Sequence, residues 1–320
     1  DRMRLELLDF KSSSPRIEGF GSIGKPEGCD FLISDAFDLY LRLKAAAKPE
    51  AFRTYTKRNQ RYLTECLGDV SIARMSPRNG ADFRDHLLCK GLSSSSVRRV
   101  FSTVKAVINL CISEHGLQTT NPFSGVYIPE NDLENKRRPI PLENIRRVQA
   151  ECQTYDDDQR WLIALISDTG MRLSEACGLL IEDIKLETDF PHIIITPHPW
   201  RRLKTKGSTR QVPLVGSSRW AAERIVATAT SELALPRYCD QTKVKANSAS
   251  GSLNKWLGAR VPDGCVIHSF RHSFRDRLRA AQCPADIIDA LGGWSTAGVG
   301  SSYGDGFELS QKSRWMKAIS

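Results

Sequence analysis

Four short segments in the second half of the chain hold the side chains best suited to phosphate chemistry: TGMRLSE (169–175), LKTKGSTRQVPL (203–214), HSFRH (268–272) and GWSTAGVGSSY (293–303). Together they offer guanidinium, ammonium, imidazole, indole and phenol groups. A phosphodiester under in-line attack gathers charge on its non-bridging oxygens. A guanidinium is a permanently charged planar donor that grips two such oxygens at once, and Arg172 and Arg271 supply that group. A phenol attacking phosphorus conserves the energy of the broken diester in a covalent bond, but with a pKa of about 10 it needs a base or strong positive charge beside it. Taken singly, each of these residues reads as an ordinary surface or structural side chain. Their order along the chain is the informative feature.

In that order the segments resemble the motifs of the tyrosine recombinases, the phage-type integrases, whose catalytic domains present Arg, a hairpin Lys, His-x-x-Arg, His or Trp, and finally Tyr. The resemblance spans about residues 34–320, because the helical first half, closing on NPF (121–123), is similar to that family's core-binding domain. It implies that Arg172 and Arg271 bind the phosphate, that Tyr303 is the nucleophile nine residues after Trp294, and that His268 assists it. Trp294, in LGGW, stands where many members carry His. An indole N–H can donate to a phosphate oxygen but cannot exchange a proton near neutral pH, so general-acid duty falls elsewhere. The basic turn before Val212 and Pro213 offers Lys204 by the K-T-x form of the motif and Lys206 by the K-G form. Lys204 is preferred and Lys206 is the alternative. Glu175 and His272 match supporting positions, Glu175 as the residue that orients Arg172 or its helix.

The resemblance further implies a site-specific DNA recombinase of a phage, prophage or other mobile element, acting through a 3′-phosphotyrosyl intermediate without metal, ATP or other cofactor. Double-stranded DNA is the expected partner, held between two domains by four protomers on two sites, with accessory DNA-bending proteins as further candidates. The apolar residues of the tail, Phe307, Leu309, Trp315 and Met316, are expected to dock on a neighbouring protomer in trans, or within the same chain. Two other readings stay open: a type IB topoisomerase and a DNA-binding relative that has lost activity. A metal face of His268, His272 and Asp276 is also conceivable from their four-residue steps, but no further ligand cluster accompanies it.

The elements that must position these residues are mainly helical, with a small antiparallel sheet, an α+β chain. Residues 1–30 read as a poorly ordered leader; Gly19, Gly21 and Gly24 lie there in G-x-G-x-x-G spacing, but without the flanking strand and helix a dinucleotide site needs. Residues 31–130 form a helical, core-type DNA-binding domain. Its clearest helix runs from the serines at 93–96 to Gly116, with Val97, Val100, Phe101, Val104, Val107, Ile108 and Cys111 on one stripe. Arg98 and Lys105 on another face are candidate DNA contacts, as are Arg53 and Lys57 before them, in a basic stripe that also includes Arg58 and Arg61. Residues 131–141 read as a linker and 142–320 as the catalytic domain with its docking tail. Within it, helices are expected at Leu142–Ala150 and Gln159–Ser167, the latter apolar nearly all round, and strands at Ile181–Leu186, His192–Thr196 and Gln211–Val215.

Bulk composition agrees with a nucleic-acid partner. Among 320 residues, 46 Lys and Arg outnumber 37 Asp and Glu, a formal net charge of +9 that favours polyanions. The nine cysteines are scattered without a C-x-x-C pair, as expected of reduced core thiols, and no apolar run approaches a membrane span. A cytoplasmic, DNA-associated protein of a bacterial cell is the expectation.

Overall fold

In the computed structural model the described residues are 30–46, 48–130, 138–294 and 306–320, and the chain divides into two compact units, residues 1–134 and 135–320. The leader, with its three glycines, lies almost wholly outside the described residues.

The first unit is built from α1 (Ile33–Lys44), α2 (Glu50–Leu67), α3 (Pro77–Cys89) and α4 (Ser94–His115). Local chemistry sets their ends. Ser93 Oγ accepts from the Ser96 amide at the start of α4, and Gly116 closes it in the left-handed region. Pro77 opens α3, where its missing N–H costs nothing. The apolar stripe of α4 is buried, and Phe101 packs with Phe83 and Phe123 at centroid separations of 5.4 and 6.1 Å. Asn121 ties the NPF turn to α4, donating to Lys105 O at 3.0 Å and to Asn109 Oδ1 at 2.7 Å.

The second unit contains α5 (Leu142–Tyr155), α6 (Asp158–Thr169), α7 (Leu173–Cys177), β1 (Ile184–Lys185), β2 (His192–Ile195), β3 (Arg210–Pro213), α8 (Gly216–Ala227), α9 (Ala246–Leu257), α10 (Ser269–Ala280), α11 (Ala285–Gly292) and α12 (Leu309–Lys317). α6 is its central element: residues Leu162 to Thr169 are all buried, with α5, α8 and α10 packed around them. Trp161, expected among them, sits at the edge and donates to Asp156 Oδ1 at 2.7 Å. The three strands form an antiparallel sheet in the order β1-β2-β3, pairing Ile184 with Ile193 and Ile193 with Val212. The first strand is shorter than expected, because the Asp183 carboxylate accepts from the Leu180 amide at 3.0 Å and winds Ile181–Asp183 into a 3₁₀ turn. The third ends at Pro213, one residue past the last paired valine, and α8 begins at Gly216.

Ile140 is buried in this unit's core, and its amide donates to Ser273 Oγ on α10 at 2.7 Å. The tail is seated within the chain. Helix α12 packs against β3, Met316 is wholly buried, and Arg277 of α10 donates to Ile319 O while pairing with the buried Asp168 at 2.9 Å. The described cysteines are free thiols, and no helix among the described residues is long and apolar enough to cross a membrane.

Candidate active site

The arginine of the first motif follows directly from how α6 ends. Gly170 caps α6 at φ 59°, and a Cβ there would strike Phe274, so the chain turns sharply and Arg172 becomes the residue that precedes α7. Glu175, three residues on, folds back on it: one carboxylate oxygen takes the Arg172 amide at 3.0 Å, the other takes Nη1 at 2.5 Å. Arg172 Nη1 also donates to Ser208 Oγ at 3.1 Å, and Nη2 to Gly293 O at 3.1 Å. Both hydrogens of Nη1 are thereby used. The Nε–H and one Nη2 hydrogen stay uncommitted among the described residues.

Arg271 lies in the first turn of α10 and is 4% exposed. It is held by main chain, donating to Gly170 O at 2.7 Å and to Gly292 O at 2.5 Å. Its guanidinium carbon lies 4.2 Å from the centre of the Trp294 ring, and that of Arg275 lies 4.8 Å from the same ring. Burial, with the nearby charges of Arg172 and Arg210, pushes Arg271 down to about 9, so it remains charged at neutral pH. His268 stands at the N-terminal boundary of α10, with its ring 5.5 Å from that of the exposed His272. His268, Arg271, His272, Arg275, Asp276, Arg279 and Trp294 line a pocket of about 170 Å³. Asp276 pairs with Arg279 at 3.5 Å, and no group of three or more metal-type ligands gathers among the described residues.

Lys204 is exposed in the β2–β3 connection, next to Thr205, whose Oγ1 lies 3.0 Å from Ser208 Oγ. The lysine turn is thus joined through Ser208 to Arg172. Lys206 opens the 3₁₀ turn Lys206–Ser208; its side chain is outside the described residues, as is Tyr303.

Three participants escaped sequence reading. Arg210 is 7% exposed and donates to Glu175 Oε2 at 2.9 Å, Leu291 O at 2.8 Å and Ser208 O at 2.9 Å. Strand alternation was the available signal, since Arg210 falls on the same inward face of β3 as Val212. Ser208 and Arg275 carried none. Burial alone would raise the Glu175 carboxyl, but the Arg210 charge and the hydrogen bonds from Arg210 and Arg172 outweigh it and hold the group below its ordinary value.

In the first unit Arg53 and Lys57 are exposed on α2, Arg98 donates to Ile128 O and Glu130 at 3.3 Å each, and Lys105 is half-buried. A pocket of about 160 Å³ gathers Arg58 of the same basic stripe with Tyr55, Tyr62, Ser96 and Arg99.

A model described as the phage integrase family matches residues 140–305, a span that contains every one of the second-unit site residues. The chain belongs to the phage integrase family. Tyrosine recombinase XerC of Pseudomonas syringae pv. tomato is 26% identical over 202 residues, covering 59% of this chain and 61% of that protein. The transposase from transposon Tn916 of Enterococcus faecalis is 23% identical over 277 residues, covering 73% of this chain and 65% of its own length. The chain therefore spans less than two thirds of these relatives' length. Among solved structures, the Tn1549 transposon integrase in complex with circular intermediate DNA superposes with a TM-score of 0.67 at 17% identity, over 85% of this chain and 98% of that one. A lambda integrase tetramer bound to a Holliday junction gives 0.65 at 13% identity, over 88% and 81%. The mainly helical fold with a small antiparallel sheet, implied by the sequence, is the fold these integrases share.

Proposed function

We propose that this chain is a site-specific DNA recombinase that cleaves and rejoins DNA through a phosphotyrosyl intermediate on Tyr303. The observation that carries the reading is the charge balance of the site, where the five guanidiniums of Arg172, Arg210, Arg271, Arg275 and Arg279 stand against three carboxylates, Glu175, Asp276 and Asp289. Such an excess favours an anion, and a phosphodiester gaining charge in its transition state gains most from it.

In the step proposed, the Tyr303 oxygen bonds to phosphorus while the bond from phosphorus to the 5′ oxygen breaks. The phenol proton passes to His268, and Lys204 protonates the leaving oxygen, with Lys206 the alternative donor. Arg172 and Arg271 hold the non-bridging oxygens through their uncommitted N–H groups. The 3′-phosphotyrosyl bond keeps the energy of the diester, so a second 5′-hydroxyl reverses the step without ATP, and the arginines supply the charge neutralisation that a metal ion gives other phosphoryl transfers. Four copies act on two DNA sites, and α12 leaves its intrachain seat for a neighbour in that assembly. The recombinase and integrase relatives support DNA as the substrate.

A nicked suicide substrate tests this. Wild type should become covalently joined to DNA, Tyr303→Phe should not, and EDTA should leave the reaction unchanged. Lys204→Ala should slow cleavage by roughly 10²-fold or more while Lys206→Ala costs less; the reverse order moves the general acid two residues along. Exchange between paired sites separates recombination from simple relaxation. An adduct on Tyr303→Phe, or none on wild type with any matched site, overturns the reading.

A further inference from the structure

Arg210 touches three parts of the site that are far apart in sequence, and its burial makes that arrangement costly to keep. Each of its three donor nitrogens has its own acceptor: Nη2 the Glu175 carboxylate that orients Arg172, Nη1 the carbonyl of Ser208 in the lysine turn, and Nε the carbonyl of Leu291 near the end of α11. The turn after α11 is shaped around it. Gly293 has φ 61°, and a Cβ there would lie 2.8 Å from Arg210 Nη1. The same glycine's carbonyl accepts from Arg172, and Trp294 follows directly. Ser208 Oγ meets both Arg172 and Thr205, the neighbour of Lys204.

We infer that Arg210 is a positioning residue of the cleavage site: one planar guanidinium sets the relative placement of Arg172, the lysine turn and the Trp294 turn. The inference rests on the recombinase reading above. A buried ion pair is weak evidence for stability, because apolar residues of equal volume often serve as well, whereas a three-way fork of fixed angles specifies geometry. Lysine at this place would keep the charge beside Glu175 but could not match three acceptors lying in the plane of a fork. Arg210 itself is nearly closed off from solvent, with each of its nitrogens committed to a protein acceptor; it acts through the groups it holds.

The test compares wild type with Arg210→Lys at saturating suicide DNA, with melting temperature and DNA affinity measured on the same samples. A folded variant should form the covalent adduct at least tenfold more slowly with its Kd for DNA changed less than threefold. The deficit should shrink severalfold on DNA carrying sulfur in place of the leaving 5′ oxygen, since a thiolate leaves without the proton that a displaced lysine turn no longer delivers. A merely structural role would not respond to the leaving atom. Should Arg210→Lys fail to fold, Arg210→Gln, whose shorter amide can still donate to Glu175 but cannot hold all three acceptors, carries the same test and should show the same signature. A folded Arg210→Lys that cleaves within threefold of wild type, or whose loss is unchanged on the sulfur substrate, overturns the inference. Absence of any adduct on wild type instead overturns the recombinase reading, so the two failures are distinguishable.

Discussion

Arg172 and Arg271 lie in one candidate site but are fastened by opposite means. Arg172 is held mostly by side chains, the Glu175 carboxylate and the Ser208 hydroxyl, with Gly293 O as a third acceptor. Arg271 is held by the carbonyls of Gly170 and Gly292 and by the face of Trp294. A carboxylate orients a guanidinium but offsets much of its charge; carbonyl dipoles and an aromatic face orient it and leave the full charge in place. The carboxylate on the Arg172 side is also shared with buried Arg210, so that side is a closed charge network, while on the Arg271 side Arg271 itself has no carboxylate partner and shares a pocket in which Arg275 and Arg279 accompany a single acid, Asp276.

The largest expected effect breaks the closed network. Glu175→Ala leaves Arg210 buried without its counter-charge and should cost about 3–5 kcal/mol in denaturant unfolding. A loss under about 1 kcal/mol would mean that water or another group already compensates Arg210, and the contrast between the two sides would lose its basis. The same carboxylate predicts a pH dependence. Its pKa in the folded chain is held below that of the unfolded chain, so its contribution is fully present above the unfolded value and is lost as pH falls through the folded one. Glu175→Gln should flatten that acid limb of the stability curve.

Next in size is the difference between the two arginines themselves. Arg271→Ala strips partners from two main-chain carbonyls in a buried place and should destabilise by about 1–3 kcal/mol. Arg172→Ala leaves Glu175 still paired with Arg210 and should cost about 1 kcal/mol or less. Adduct formation should fall by roughly 10²–10³-fold in both, since each removes charge from the developing transition state. Equal losses of stability, read by urea unfolding, would erase the distinction drawn here. The smallest effect belongs to Trp294→His. An imidazole keeps a planar face beside Arg271, so melting should shift by about 1 kcal/mol or less and suicide-substrate cleavage should persist in part.

Much of this molecule was legible because the deciding interactions are local. The stripe of α4 between Ser93 and Gly116, the burial of α6, and the three-residue step from Arg172 to Glu175 all follow from a period of 3.6 residues and from capping chemistry. The order of the four motifs sufficed for the family and the fold. Local patterns were weaker guides where a side chain competes with the backbone, as at Asp183, which converts half of an expected strand into a turn. They were weaker still on surfaces: basic residues at helical spacing on α2 and α4 do not reveal that Arg58 and Arg99, with Tyr55 and Tyr62, share a pocket while Arg98 is spent on Ile128 O and Glu130.

The sequence by itself determined which groups are present and in what order, because residue type sets charge, donor geometry and helical periodicity. Only the tertiary structure decided what holds them. The carbonyls of Gly170 and Gly292 reach Arg271 across separations of 101 and 21 residues, and Arg210 reaches Leu291 across 81. Backbone acceptors carry no signature in residue type, and contacts over such distances in the chain have no period to betray them, so the placement of the arginines emerges only when the helices and strands are packed.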